Sequence, residues 1–445
     1  MPSDFVSSSS LLASVGALPT DSLNHQKLAQ VIFERMKILA PGSVLAIQGE
    51  WGRGKTDVLL RLAGIAADKD TPVIWINPWQ YGTPDLLTPL VVSMLDHVPK
   101  ERNTTELATA VHTVVQAGIA FGLKAAAIAA VGPAGTAVTP IADSLAKYVV
   151  QNIPRLKTPD EKPVVDAVAK MAASFRVIVE AIKTKDELEA GGRIVVCVDD
   201  IDRCLPERQV TLLEGLRFLT TAESGASIVI AIDPHLARQS VLARYKSETL
   251  DPERYLNKLF DLRMTLPALG QEHLREYVRS SLAQKAGSDP ASIGEVLDRA
   301  YADADVAQIL SNCLTTPSLR NPRLIAKLTR KLYILARESV FDPVGNQSLL
   351  LHWLALGEAW PCIRQLVQGA GTAEEARHEL YDAWKWCGDE NQDVNSTNVR
   401  IMMPKRGSKE ALEINHAFHT SIGEKLNANT EAIFMIEKRL RDAGL

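Results

Sequence analysis

Gly49-Glu50-Trp51-Gly52-Arg53-Gly54-Lys55-Thr56 is the stretch whose reading decides the fold. Its spacing is G-x-x-x-x-G-K-[ST], that of a phosphate-binding loop. Glycines permit the tight turns that aim successive backbone N–H groups at phosphate oxygens. Lys55 is expected to reach the β- and γ-phosphates of a nucleoside triphosphate, and the Thr56 hydroxyl to ligate Mg2+. An apolar run, Ser43–Gln48, precedes the loop and reads as a buried strand; Thr56–Ala67 follows and reads as a helix. That helix adds its positive N-terminal end to the same anion site. Gly49, Glu50, Trp51, Gly52, Arg53, Gly54, Lys55 and Thr56, with Asp57 directly after them, are therefore the expected nucleotide-binding run.

Upstream, Leu23, Leu28, Val31, Ile32, Met36 and Leu39 recur at helical spacing from Asp21 onward, and Pro41-Gly42 stops them. Downstream, Val73–Asn77 reads as a second strand ended by Pro78. Strands resume at Arg193–Val198 and Ser227–Ile232, with Leu212, Leu213, Leu216 and Leu219 marking a helix between them. Leu259–Leu266 reads as a fifth strand. Apolar β-branched runs alternating with helices indicate a parallel sheet covered on both faces. From Gln271 onward only helical periods are visible, with no internal repeat.

The third strand ends in two carboxylates, Asp199 and Asp200. In enzymes with such a loop the first acid holds Mg2+, which assigns Asp199. The second is placed to orient or deprotonate the attacking water, which assigns Asp200 as general base beside Lys55. Asp is one methylene shorter than the Glu common at this position, so slow turnover is expected. Asp202 and Arg203 follow, to pair with each other or with the neighbouring loop. Arg203 has a second reading as an arginine finger acting in trans. Asp233 closes the fourth strand; it can sense the γ-phosphate or, with Pro234 behind it, simply cap the next helix.

Bulk properties constrain the rest. The 445 residues suffice for two or three domains, and a net charge of −4 gives no global pull toward nucleic acid or anionic lipid. The five cysteines include no C-x-x-C pair, so neither a zinc site nor a disulfide framework is suggested, and a reducing compartment follows. The first residues lack the basic start and long apolar run of an export signal and read as a short tail.

Taken in order, G-E-W-G-R-G-K-T, V-I-W-I-N-P-W-Q-Y, V-C-V-D-D-I-D-R-C and Y-L-N-K-L-F-D-L-R-M-T-L-P resemble the KAP family of P-loop NTPases. Arg320-Asn321-Pro322-Arg323 and Trp360-Pro361 resemble that family's helical C-terminal part, so the likeness spans about residues 20–365. It implies an ASCE-type α/β core with strand order 5-1-4-3-2, relatedness to STAND signalling ATPases, and ATP with Mg2+ as cofactors. It implies Arg323 as a candidate phosphate sensor. Bacterial members are linked to phage exclusion, which suggests an ATPase switch in anti-phage defence, working through a homo-oligomer or an effector protein partner.

Many members of that family insert membrane-spanning helices between the phosphate loop and the acidic strand. Here the insert runs from about 83 to 192 and is rich in Ala, Val and Gly. Its 107–131 stretch is long enough to span a bilayer, with Gly118 and Gly122 in a small-residue stripe. His112, Gln116 and Lys124 interrupt it, however, and a mid-helix Lys costs about 2.5–3.5 kcal/mol on insertion scales. The 138–150 segment holds Pro140, Asp143 and Lys147 and is too short to return. A packing insert and a cytoplasmic location are favoured, with membrane association as the alternative.

The expected division is a tail over 1–20, an NTPase core over 21–82 and 193–270, a helical lid over 271–345 and an interaction domain over 346–445. In the lid, Arg320, Arg323, Lys327, Arg330, Lys331 and Arg337 form a basic face. It reads as phosphate sensing through Arg323, as DNA contact by a motor or loader, or as a solvated face. Trp353, Trp360, Trp384 and Trp386 are expected as core of the last part. A nucleotide-binding scaffold with little hydrolysis remains a further alternative.

Overall fold

The computed structural model describes residues 21, 23–81, 87–99, 102, 104–116, 165–183, 193–220, 225–246, 250–284, 291–300, 306–337, 347–388, 393–421, 426–442 and 444. The tail before residue 21, most of the insert and the 138–150 segment lie outside them. The chain divides into two compact units, Met1–Leu266 and Pro267–Leu445.

The first unit is built on five parallel strands, β1 (Val44–Gln48), β2 (Val73–Ile76), β3 (Ile194–Val198), β4 (Ala226–Ile232) and β5 (Leu262–Thr265). They lie in the order β2-β3-β4-β1-β5, the expected one. Helix α1 (His25–Ile38) precedes β1, α2 (Lys55–Ala67) follows it, and α3 (Leu87–Leu95) follows β2. Helix α4 (Val165–Ile182) precedes β3, α5 (Pro206–Leu219) precedes β4, and α6 (Pro234–Tyr245) and α7 (Pro252–Leu259) precede β5. Strands β1, β3 and β4 are buried along their whole length. Their alternate side chains enter two different cores, as the period of two requires.

On one face Leu45, Ile47, Val195, Cys197 and Val229 pack with Ile32, Phe33 and Met36 of α1 and Val58, Leu59 and Leu62 of α2. On the other, Ala46, Ile74, Val196, Ile228 and Ile230 pack with Phe175 and Ile178 of α4 and Leu213 and Leu216 of α5. The insert thus supplies much of one face. Leu107, Val111 and Val114, from a helical stretch over 105–116, are buried in that same core. These are the opening residues of the 107–131 stretch; the remainder lies outside the described residues. Among the described residues no helix is long and apolar enough to cross a membrane.

The fifth strand is shorter than Leu259–Leu266. Leu256 and Leu259 are the buried face of α7, and Asp261 then breaks the apolar run. Its carboxylate accepts from Val44 N at 2.8 Å and its N–H donates to Val44 O at 2.8 Å, which fixes where pairing to β1 begins.

The second unit is helical throughout its described residues. Helices α8 (Gln271–Ala283), α9 (Ile293–Ala300), α10 (Val306–Cys313) and α11 (Pro322–Arg337) come first. Helices α12 (Gln347–Ala359), α13 (Pro361–Gly369), α14 (Ala373–Gly388), α15 (Thr397–Met402), α16 (Lys409–Ser421) and α17 (Leu426–Asp442) complete it. Trp353 and Trp360 are core residues, whereas Trp384 is 37% exposed and Trp386 is half-buried, donating to Pro404 O at 2.7 Å. Glu437, also buried, accepts from Trp353 Nε1 at 2.9 Å, Arg364 Nε at 2.8 Å and Gln368 Nε2 at 2.6 Å. A carboxylate out of water needs such a full set of donors.

Candidate nucleotide site

The 49–56 loop joins β1 to α2 at the C-terminal edge of the sheet, where open parallel sheets bind ligands. Gly52 and Gly54 have φ of 87° and 95°, left-handed backbone that other residues adopt only with strain. Lys55 is buried, and its ammonium donates to Gly49 O at 2.9 Å and Glu50 O at 3.4 Å. Its remaining partner is Asp202 Oδ2 at 3.1 Å, with side-chain exposures of 8% for Lys55 and 5% for Asp202. That contact is one of charge, since Asp202 Oδ2 has no hydrogen-bond partner. Arg53 Nη1, in the loop itself, is likewise buried without a hydrogen bond. Trp51 is 54% exposed at the loop's tip.

The pairing of β2 with β3 brings the acids in. Ile76 stands beside Val198, and Asp199 N donates to Ile76 O at 2.9 Å. Asp199 is buried, and burial pushes its carboxyl up to about 6. A hydrogen bond with Thr56 works against that rise, while the charges of Asp200 and Asp202 add to it. Asp200 has φ of 55°. Its Oδ2 accepts from Asn77 Nδ2 at 2.7 Å and its Oδ1 pairs with Arg203 Nε at 2.8 Å. The Arg203 guanidinium also lies 5.3 Å from the centre of the Trp79 ring. So Asp202 and Arg203 do not pair with each other: one takes Lys55, the other Asp200.

Asp57 is engaged by a different pair of residues, His25 and Arg61. Burial works to raise its carboxyl, but hydrogen bonds from His25 and Arg61 outweigh it and hold the group below the usual carboxylate range. His25 Nδ1 and Arg61 Nε stand 2.7 and 2.9 Å from Asp57 Oδ2. The His25 ring lies so close to Gly54 that a Cβ there would meet Cε1 at 2.3 Å. Asp233 is buried at the end of β4 and caps α6, its Oδ1 accepting from His235 N at 2.9 Å and Leu236 N at 3.3 Å. Arg323 belongs to the second unit, exposed in the first turn of α11. On that helix Lys331 pairs with Glu358, Lys327 stands 4.0 Å from the same carboxylate, and Arg320 donates to the Leu314 carbonyl at 2.9 Å. Part of the basic face is thereby neutralised within the unit.

The donor set fits Mg2+. Thr56 and Asp199 offer hard oxygens already in contact, and the Asp199 carboxylate is buried beside two further acids, Asp200 and Asp202, a concentration of negative charge that suits a cation. Among the described residues no cluster of three or more His, Cys, Asp or Glu could cage a metal alone. Mg2+ is ordinarily held by one or two protein oxygens together with substrate phosphates, which suits this pair.

Asn77, His25 and the role of Asp202 are additions that spacing along the chain did not single out. A polar residue ending β2 beside the acids of β3 was the one available signal, and it depends on knowing that β2 and β3 pair.

The sequence pattern of the KAP family P-loop domain matches residues 23–339. No curated relative matches the chain. Among solved structures, the crystal structure of a DNA replication initiation factor aligns at 10% identity and a TM-score of 0.35, over 96% of this chain and 97% of that one. The replication initiator DnaA bound to AMPPCP and single-stranded DNA aligns at 12% identity and a TM-score of 0.36, over 99% of both chains. Similarity at that level bears on neither ligand nor activity.

Proposed function

Since the chain belongs to the KAP family of P-loop NTPases, we propose that it binds ATP with Mg2+ and hydrolyses it slowly to drive a conformational or oligomerisation switch. The observation that carries this reading is the convergence of buried Lys55, the Thr56–Asp199 pair and Asp200 at one edge of the sheet. Lys55 and the loop N–H groups hold the β- and γ-phosphates. Thr56 and Asp199 hold Mg2+, which when bound neutralises phosphate charge. Asp200 orients the attacking water and accepts its proton.

Two features favour slow turnover and hence a switch. The base carries the short Asp side chain. It is also engaged by Asn77 and Arg203, which stabilise its ionised form and so weaken it as a proton acceptor. Anti-phage defence in a bacterium is the proposed setting, supported by family resemblance alone. A DNA-associated motor draws its support from the exposed side of α11, where Arg323, Lys327, Arg330 and Arg337 lie. Solution mass measured with and without ATP, and turnover with and without duplex DNA, separate the two. The switch predicts an ATP-dependent change of mass and DNA-independent turnover; DNA-stimulated turnover would favour the motor.

A further inference from the structure

Lys55 donates two hydrogen bonds and holds one counter-charge. The bonds go to loop carbonyls, Gly49 O and Glu50 O, and the counter-charge is Asp202 Oδ2 at 3.1 Å. A phosphate oxygen that takes Lys55 competes with Asp202 for the ammonium charge. The carbonyls belong to the loop that wraps the phosphates. Asp202 is the exchangeable partner: a side chain on the three-residue turn Ile201–Arg203, its Oδ2 without any hydrogen bond. Both members of the pair are more than nine-tenths buried, so solvent screens their attraction little.

We infer that Asp202 sets the nucleotide affinity of this site by competing with the terminal phosphates of ATP for Lys55. The inference rests on the ATP-site reading above and deepens it. Two effects act in the same direction. Nucleotide must break an existing buried ion pair, and it brings a polyanion toward a carboxylate that then loses its counter-charge. Asp199 and Asp200 stand close by, so a displaced Asp202 meets like charge on that side. The arrangement weakens binding of any phosphate chain that reaches Lys55. It leaves recognition of a monophosphate, which does not reach that far, untouched.

The experiment is calorimetric binding of Mg–ATP and of AMP to the full chain, to Asp202→Asn, to Asp202→Glu and to Lys55→Ala. Asp202→Asn is expected to bind ATP at least tenfold tighter, about 1.4 kcal/mol, with AMP unchanged. Asp202→Glu keeps the competing charge and should stay within threefold of the wild type. Asp202→Ser substitutes if the asparagine variant does not fold. Unchanged or weaker ATP binding on removing the charge would overturn the inference, because Asp202 would then be neutral or a helper in the bound state. If wild-type binding through Lys55 is intact, that result sinks this inference alone. ATP binding unaffected by Lys55→Ala would sink the site reading itself.

Discussion

Alanine at Gly54 strikes the phosphate loop and the N-terminal helix together. Gly54 has φ of 95°, which an L side chain adopts at a cost of about 1–2 kcal/mol. The added Cβ would stand 2.3 Å from His25 Cε1, so the imidazole must move. It has little room to do so, being 4% exposed and fixed to Asp57 at 2.7 Å. Overpacking of this kind costs roughly 1–3 kcal/mol. Together these predict a loss of about 3 kcal/mol, or roughly 6–12 °C in Tm for a unit of this size. The assay is the thermal transition that ATP shifts upward, since ligand raises the stability of the unit that binds it. His25→Ala clears the obstructing ring. The double variant retains only the backbone strain, so its loss should fall short of the summed single losses by about 1–3 kcal/mol. Full additivity, or a Gly54→Ala protein with an unshifted transition, would refute the packing argument.

Asp200→Asn should lower ATP turnover by roughly 10²–10⁴-fold while leaving ATP affinity intact, read by steady-state kinetics beside calorimetry. Arg203→Ala removes one of the two groups holding Asp200 and should raise turnover about twofold to fivefold, the span of a partly exposed ion pair; a fall would place Arg203 on the transferring phosphate instead. Glu437→Gln should destabilise the helical unit by about 3–5 kcal/mol in urea, because it strands the Arg364 cation beside it. Asp199 gives a pH dependence. Its folded carboxyl, near 6, lies above the ordinary 3.8, so between those values the folded chain binds more protons than the unfolded one. Stability without Mg2+ should therefore fall, by on the order of 3 kcal/mol, as pH rises through that window, and level off above it. Asp199→Asn should flatten that slope in denaturation curves taken across the window; an unchanged slope would assign it to other carboxyls.

The sheet was legible because its central strands are buried on both faces. Val44–Gln48, Ile194–Val198 and Ala226–Ile232 are buried from end to end and apolar at every position but Gln48 and Ser227, a pattern few other settings produce. Their order was legible only through resemblance. Leu259 and Phe260 misled by the same logic, since an apolar pair ending an amphipathic helix looks like the start of a strand. The loop and its two acids were legible because phosphate chemistry dictates residue type and spacing. The partners of those acids were not. Asn77 and Asp200 are 123 positions apart, and their hydrogen bond exists only because β2 lies beside β3. The engagement of Lys55 by Asp202, rather than of Arg203 by Asp202, depends on rotamers within one turn. His25 against Gly54 depends on how α1 packs over α2, which helical periodicity does not specify. Trp384 was expected in the core with the other tail tryptophans, yet it stands over a third exposed, 5.8 Å from the Tyr381 ring.

ATP turnover by the purified chain, set beside Lys55→Ala under the same Mg2+ concentration, tests the central claim most directly. The account predicts slow, Mg2+-dependent release of inorganic phosphate by the wild type and none above background from the variant. Equal turnover by the two proteins would contradict it.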